Sequence, residues 1–299
     1  MDLGGVWNGR VGRVAREPPI GGELSLRFYY TNYNYLYWLF ILEYTLWREH
    51  YNDTQQSGIN HYNITYRYLR QSVKVLSFFI TLYTIIMFRG QALQDQFIMT
   101  VLKEKRDGYF LEIGSNHPIN INNSYVLEND YGWKGIMVEY DPAFLPAYQT
   151  HRPNSIHVIN DATKVDYKNI MDNNNFPNHL DYLQIDLEAN NGSTINTLQL
   201  LDQQVFDTYT FATVTFEHDI YHTNFDNTRM KSRYIFQKRG YVRVFSDVSN
   251  QGNPFEDWYV HPLLVDMNLV NSLIERNAEK YVPHTITGNT IDWKNIEFS

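Results

Sequence analysis

The chain has 299 residues, enough for one large domain or two smaller ones, and its hydrophobic content of 43% allows a sizeable core. It contains no cysteine, which excludes disulfides, thiolate metal sites and cysteine nucleophiles and fits a reducing compartment. The net charge of -8 argues against a broad nucleic-acid footprint, so we expect no nucleic-acid partner.

The first part of the chain, residues 1–89, is predicted to be an aromatic-rich accessory or poorly ordered region. It begins with a glycine-, proline- and arginine-rich lead that lacks the apolar stretch of a signal peptide. Two apolar runs follow, at 36–47 and 75–88, which we predict as helices. Both are shorter than the roughly 20 residues that span a bilayer. We therefore expect a cytoplasmic protein. Residues 35–88 have two alternative roles, a helical hairpin packed on the main domain or association with a membrane interface.

From residue 90 the pattern becomes an alternation of helices and strands, which predicts a domain over 90–299 with a parallel sheet and helices on both faces. The first element is an amphipathic helix with apolar residues at helical spacing. The first predicted strand starts at 109. The next five cover 135–139, 155–159, 180–185, 211–216 and 241–245, and a seventh includes 258–260. The predicted helices cover 91–104, 124–129, a segment from 142, then 165–172, 194–201, 228–239 and 263–276. The remaining residues are interpreted as a polar tail.

The first predicted strand ends abruptly in a glycine turn. Its apolar run contains Glu112 and is followed by Gly114, Ser115 and Asn116. A glycine at this point lets the backbone approach a ligand closely, and open α/β sheets bind ligands beyond the carboxyl ends of their strands. An acid lies at the end of each of the first five strands, so we expect these carboxylates along one rim: Glu112, Glu139, Asp161, Asp186 and Glu217.

This rim predicts a ligand that carries a cation and hydroxyl groups. Glu139 lies 25 residues after Gly114, at the end of the second strand, where an acid binds ribose hydroxyls. Asp161, followed by the small Ala162, can accept a hydrogen bond from an exocyclic amine. The turn Gly-Ser-Asn-His-Pro is neither Gly-x-Gly-x-x-Gly nor a P-loop, which disfavours a pyrophosphate. S-adenosylmethionine, a nucleoside with a positive sulfonium, fits better.

Three blocks of sequence, 108–116, 132–139 and 181–188, resemble the FkbM-type class I methyltransferases, and the resemblance covers roughly residues 90–262. It implies a Rossmann-like fold with a seven-stranded, mostly parallel sheet and S-adenosylmethionine-dependent O-methylation of a sugar, glycan or small-molecule hydroxyl. Another glycine of the family's turn is replaced here by Pro118 or Ile119. Together, the rim and the resemblance give these predicted cofactor contacts: Glu112, Gly114, Ser115, Asn116, Glu139, Asp161, Ala162 and Asp186.

Methyl transfer to a hydroxyl requires alignment of donor and acceptor and removal of a proton. The predicted bases are His218, Asp186 and Glu188. His218 has a suitable unperturbed pKa and follows the fifth strand, although it can also be interpreted as a surface loop residue. Together with Glu217, these three side chains are of the types that ligate a divalent cation. Paired acids at strand ends more often serve a donor pocket or the structure, so the prediction contains no metal.

Two other functions stay open at the level of sequence. The first is an NAD-binding Rossmann enzyme, against which the missing Gly-x-Gly-x-x-Gly counts. The second is a non-catalytic, membrane-tethered or interaction protein that retains the fold, against which the intact rim acids count. The oligomeric state and the acceptor are not encoded in any motif that we recognise.

Overall fold

A computed structural model describes residues 88–222, 226–285 and 288–299. Nearly all of the predicted N-terminal region therefore lies outside the described residues, and the division into two regions and the membrane alternative for residues 35–88 stay predictions. In the part of the chain that is described, no helix is both long and apolar enough to cross a membrane.

The described residues alternate between helices and strands, as the sequence predicts. The helices are α1 (Gln94–Val101), α2 (Tyr125–Tyr131), α3 (Leu145–His151), α4 (Tyr167–Asn173), α5 (Ser193–Gln204), α6 (Asp226–Lys238) and α7 (Met267–Asn277). The strands are β1 (Tyr109–Ile113), β2 (Lys134–Glu139), β3 (Ile156–Ile159), β4 (His179–Ile185), β5 (Thr210–Glu217), β6 (Val242–Asn250), β7 (Asn253–Val260), β8 (Val282–His284) and β9 (Gly288–Asp292).

The strands form one sheet in the order β3-β2-β1-β4-β5-β7-β6-β9-β8. Neighbouring strands from β3 to β5 are parallel, whereas β7 lies antiparallel to both β5 and β6. Strands β1 to β3 are added toward one edge of the sheet, and β4 and β5 are added toward the other. The topological switch point of this doubly wound sheet therefore lies between β1 and β4. The predicted α/β, Rossmann-like fold with a mostly parallel sheet and helices on both faces is confirmed.

The core lies in two layers, one on each face of the sheet. Alternate residues of a strand point to opposite faces, so Leu111 and Ile113 join the layer under α4, α5 and α6, while Phe110 joins the layer under α1, α2, α3 and α7. Both faces are covered, which is why the central strands are apolar along their length. The exception in β1 is Glu112, which is fully buried.

The prediction of seven strands and a polar tail is wrong at the C-terminus. Residues 282–292 add β8 and β9, and β9 pairs in parallel with β6 through Val248 and Ile291. Ile291 is fully buried, and Ile296 and Phe298 are nearly so. These apolar residues are separated by polar ones, so the tail buries single side chains and shows no apolar run.

Candidate functional site

Gly114 marks the point where three parallel strands end together. Its N–H donates to the carbonyl of Val138 at 2.9 Å, and the N–H of Asp186 donates to the carbonyl of Ile113 at 3.0 Å. The φ of Gly114 is 86°, and a Cβ on this residue would lie 1.8 Å from the carbonyl oxygen of Asp186. Only glycine fits, because the left-handed backbone and the contact with β4 both exclude a side chain.

Glu139 is held in place by backbone donors. Its Oε2 accepts a hydrogen bond from the N–H of Asn116 at 2.8 Å. Its Oε1 accepts from the N–H groups of Tyr140 and Asp141 at 2.8 and 2.9 Å. The carboxylate of Glu139 is therefore fixed in one orientation before any ligand binds, and it is half-buried at the end of β2.

A cavity of about 350 Å³ opens beside this carboxylate, at the carboxyl ends of the parallel strands. It has an apolar wall and a polar wall, the combination expected of a small-molecule site. The lining residues are Gly114, Val138, Glu139, Tyr140, Asn160, Asp161, Ala162, Leu187, Glu188, Asn191 and Ser193. Five predicted site residues, Gly114, Glu139, Asp161, Ala162 and Glu188, are thus brought together around one cavity.

Asp161 lines the cavity but also caps a short turn. Its Oδ1 accepts from the N–H and the Oγ1 of Thr163 at 3.0 and 2.7 Å, and its Oδ2 lies 2.8 Å from the Nζ of Lys164. The hydrogen bond from Lys164, followed by those from Thr163, lowers the pKa of Asp161 to about 2. An amine of a ligand would therefore share this carboxylate with the cap.

Four predicted cofactor contacts, Glu112, Ser115, Asn116 and Asp186, lie outside the lining of the cavity. Glu112 is fully buried behind the glycine turn, where its Oε2 accepts from Asn122 Nδ2 at 3.2 Å. Its Oε1 has no hydrogen-bond partner among the described residues. Burial raises the pKa of Glu112, against the opposing charge of Arg152. Asn116 reaches the cavity through its backbone, which donates to Glu139.

Asp186, Glu217 and Asp219 form a carboxyl cluster at the ends of β4 and β5. The register pairs Ile185 with Phe216, so the next residues along the two strands, Asp186 and Glu217, lie side by side. Glu217 is hydrogen-bonded to both of the other carboxyl groups. Burial raises the pKa of all three groups, and for Glu217 the charge of Asp186 adds to it, so its pKa lies well above the usual range. Such a cluster holds a shared proton at a pH where isolated carboxyl groups are ionised.

Glu256, on β7, lies next to the carboxyl cluster. It pairs with Glu217 across the antiparallel strands and is only 4% exposed. Its Oε1 accepts from the Nε2 of Gln94 at 2.8 Å, so a hydrogen bond joins α1 to β7. Burial raises the pKa of Glu256 well above its usual range. The hydrogen bond between Gln94 and Glu256 could not be predicted from the sequence, because it joins segments that are far apart in the chain.

His218 is fully buried, so its interpretation as a surface loop residue is wrong. Its Nδ1 accepts from the N–H of Ile220 at 3.3 Å, and its Nε2 lies 3.5 Å from carboxylate oxygens of both Asp247 and Asp257. These carboxylates also pair with Arg229 and Arg233 of α6. His218 is therefore held in a buried ionic group beneath α6 and does not line the cavity.

The side chains of His218, Asp247 and Asp257 have ligand atoms within 4.8 Å of one another, the spacing of a metal site. Two arginines already neutralise both carboxylates, and a cation would be repelled by them, so this group does not fit a metal ion. The four side chains considered as ligands from the sequence, Asp186, Glu188, Glu217 and His218, do not come together in this way within the described ranges.

Comparison with known proteins gives matches only among solved structures. No protein-family model matches this chain, and no curated protein matches it. A TehB-like S-adenosylmethionine-dependent methyltransferase from Corynebacterium glutamicum is 10% identical, with 56% of this chain and 87% of that chain covered and a TM-score of 0.38. A precorrin-6y C5,15-methyltransferase from Geobacter metallireducens is 13% identical, with 57% and 87% covered and a TM-score of 0.39.

A further match is the fibrillarin pre-rRNA processing protein of Methanococcus jannaschii, 13% identical, with 52% of this chain and 67% of that chain covered and a TM-score of 0.36. At these identities and TM-scores the matches carry no argument about function. The function is therefore argued from the geometry of the cavity and the carboxyl cluster.

Proposed function

We propose that this chain is an S-adenosylmethionine-dependent methyltransferase that methylates a hydroxyl group of a sugar, glycan or small molecule. The observation that carries the proposal is the cavity at the switch point of the sheet, where the backbone-anchored carboxylate of Glu139 stands next to Gly114. A carboxylate at this position is suited to the two hydroxyls of a ribose.

The residues around the cavity fit the nucleoside half of such a donor. Val138, Ala162 and Leu187 supply an apolar wall for a base, and Asp161 lies beside it as an acceptor for an exocyclic amine. The close contact between Gly114 and β4 leaves no side chain in the way of the ligand. The Oε1 of Glu112 has no hydrogen-bond partner in the part of the chain that the structure describes, so it is available to accept a hydrogen bond from the donor's amino group or from a bridging water.

The carboxyl cluster fits the positive charge of the donor. The sulfonium of S-adenosylmethionine is a permanent cation, and carboxylates attract it most strongly where they are partly removed from water. Asp186, Glu217 and Asp219 are half-buried and bonded to one another. A cation near the cluster would favour its ionised form and so prepare it to accept a proton.

When bound, S-adenosylmethionine supplies an electrophilic methyl group. The protein must then orient the acceptor hydroxyl and remove its proton. We assign this role to Asp186 or Glu217, since both are half-buried at the strand ends and burial raises the pKa of each above its ordinary value. We do not assign it to His218, which is enclosed between Asp247 and Asp257.

The test is calorimetric titration of the full-length chain with S-adenosylhomocysteine, beside Glu139→Ala and the control Glu275→Ala, an exposed residue of α7. We expect micromolar binding, about -8 kcal/mol, that Glu139→Ala weakens by at least about tenfold and Glu275→Ala leaves unchanged. A folded wild-type chain that does not bind it overturns the proposal, and binding of NAD instead would favour a dehydrogenase.

Turnover separates an enzyme from a protein that only binds the cofactor. Label from methyl-labelled S-adenosylmethionine should appear in members of a panel of hydroxylated acceptors, and the Glu217→Gln variant should lose transfer while it still binds S-adenosylhomocysteine. Binding without transfer to any acceptor in the panel would support a non-catalytic role.

A further inference from the structure

Residues 115–124, which join Gly114 to α2, have a demanding backbone and contain no glycine. We refer to them as the β1–α2 loop. Asn116 and Ile121 have φ values of 48° and 54°, in the left-handed region that residues other than glycine rarely adopt. For the β-branched Ile121 this conformation is especially unfavourable. The shape of this loop must therefore be imposed by contacts with the rest of the molecule.

Three of these contacts come from one buried side chain, Arg152, which directly follows α3. Its Nη1 donates to Asn122 Oδ1 at 2.8 Å and to the carbonyl of Pro118 at 3.3 Å. Its Nη2 donates to Ser124 Oγ at 2.6 Å. Its Nε donates to Glu128 Oε2 of α2 at 2.8 Å. A single guanidinium group thus binds three points of the loop and the helix that follows it.

The same end of α3 also holds the start of the loop. Tyr148, one helical turn before Arg152, is fully buried and donates through its hydroxyl to the carbonyl of Asn116. The N–H of Asn116 in turn donates to Glu139 in the wall of the cavity. The loop is therefore attached to α3 at both of its ends.

Arg152 is linked to the site through Asn122. While Asn122 accepts from Arg152, its Nδ2 donates to Glu112 Oε2 at 3.2 Å and to the carbonyl of Ser115 at 3.0 Å. The orientation of Glu112 thus depends on Asn122, and that of Asn122 depends on Arg152. The charge of Arg152 also opposes the rise that burial causes in the pKa of Glu112.

We propose that Arg152 is a positioning residue of the donor site, which fixes the β1–α2 loop and through it the orientation of Glu112 and the contact of Asn116 with Glu139. This inference rests on the proposed function. A glycine would adopt the left-handed backbone of this loop without strain. In its absence, hydrogen bonds from the Arg152 side chain hold the loop in that conformation.

Lysine cannot replace arginine here. The four acceptors lie around a planar group whose donors point in fixed directions, whereas an ammonium is a single point on a flexible stem. Arg152→Lys keeps the charge and the ion pair with Glu128 but cannot reach all of the acceptors. The substitution therefore separates the anchoring of the loop from the charge.

The experiment compares wild-type protein, Arg152→Lys and the control Arg239→Lys by hydrogen exchange and by titration with S-adenosylhomocysteine. Arg152 lies over the ring of Phe110, and Arg239 likewise packs over the ring of Phe206. Arg239 binds the carboxylate and the backbone carbonyl of Asp202, but it lies on the segment after α6. We expect Arg152→Lys to speed amide exchange in residues 115–124 by about tenfold or more and to weaken binding by a similar factor. Arg239→Lys should change neither.

Normal exchange in the loop of a folded Arg152→Lys protein overturns the inference, as does an affinity equal to that of wild type. If Arg152→Lys does not fold, Asn122→Ala, which keeps the pair of Arg152 with Glu128, must show the same faster exchange and weaker binding, or the inference fails. A folded wild-type chain that does not bind S-adenosylhomocysteine overturns the proposed function instead, and loop exchange then still reports whether Arg152 orders the loop.

Discussion

Gly114 is the residue at which the site tolerates least change. Substitution to alanine would place a Cβ 1.8 Å from the Asp186 carbonyl on a backbone with φ of 86°. We expect Gly114→Ala to lower the free energy of unfolding by about 3 kcal/mol or more and to abolish binding of S-adenosylhomocysteine. Urea unfolding and calorimetric titration measure the two effects.

The control for this substitution is Gly252→Ala. Gly252 has a similar φ of 81°, but nothing lies within 4 Å of its added Cβ. Backbone strain alone should then cost about 1 kcal/mol. Equal losses at the two positions would show that the contact with Asp186 relaxes and that crowding at Gly114 is unimportant.

Glu217 is predicted to oppose stability while it serves activity. Its pKa is raised in the folded state by burial and by Asp186. The stability that protonated Glu217 contributes is therefore fully present below the unfolded pKa, about 4.3, and is lost as pH rises through the folded pKa. We expect Glu217→Gln to melt at a higher temperature than wild type at pH 8, with a smaller difference at pH 4.5. Thermal melts at the two pH values test this, and a variant that is less stable at pH 8 would contradict it.

The predicted and observed sites differ for residues whose partners are remote in sequence. Gly114 and Glu139 are recognisable because each directly follows or ends an apolar strand, and Asp161 comes two residues after one. His218 also follows a strand, but its environment is formed by Asp247, Asp257 and the arginines of α6, and no local pattern shows that they meet. A polar residue after a strand can therefore be placed at the rim from sequence, but its partners cannot be identified.

At the scale of elements, the N-terminal end of α1 contains a pH-sensitive anchor. Asp95 is fully buried, and its Oδ2 accepts from the N–H groups of Arg89 and Gly90 at 2.6 and 3.1 Å. Burial raises the pKa of Asp95 to about 7. Its protonated form is therefore favoured by folding, and the stability that it contributes below about pH 4 is lost as pH rises to about 7.

We expect Asp95→Asn to remove this part of the pH dependence, which amounts to up to about 4 kcal/mol for a shift of roughly three units. The measurement is urea unfolding of wild type and variant at pH 4.5 and 7.5. The variant should lose less stability between these values than wild type does. Parallel pH profiles for the two proteins would contradict the role of Asp95.

The C-terminal strands are predicted to stabilise the sheet although their sequence is polar. Ile291 of β9 is fully buried against β6, whereas Val282 of β8 is 58% exposed. We expect Ile291→Ala to lower the free energy of unfolding by about 2–4 kcal/mol and Val282→Ala by less than about 0.5 kcal/mol. Urea unfolding of both variants checks this, and similar small losses would mean that β9 is a dispensable addition.

The elements that the sequence predicted correctly are those buried on both faces. Strands such as β4 and β5 are buried along nearly their whole length. The helix α6 ends at Lys238, two residues before Gly240, whose φ is 85°. Short strands that bury one or two side chains leave no periodic pattern, which is why β8 and β9 could not be predicted. The antiparallel placement of β7 could not be predicted either, since the pairing of strands is a property of the folded sheet.

At the scale of the whole molecule, acids and bases are distributed unequally around the site. Arg152, Arg229 and Arg233 are bound to carboxylates inside the fold. Among the described residues, by contrast, the carboxyl groups of the cluster are hydrogen-bonded to one another and form no salt bridge with an arginine or a lysine. The arrangement favours a cationic ligand beside the cluster and disfavours an anionic acceptor such as a sugar phosphate.

The position of β7 between β5 and β6 also governs how the chain can fold while it is being synthesised. The strands from β1 to β5 are synthesised before β6 and β7, and the first four of them end at the cavity. At that stage β5 is an unpaired edge. It cannot be closed by β6, which is made next, and must wait until β7 has formed a hairpin with β6 around Gln251 and Gly252. An incomplete chain that stops before residue 253 thus exposes a long apolar strand edge, where nascent copies would associate.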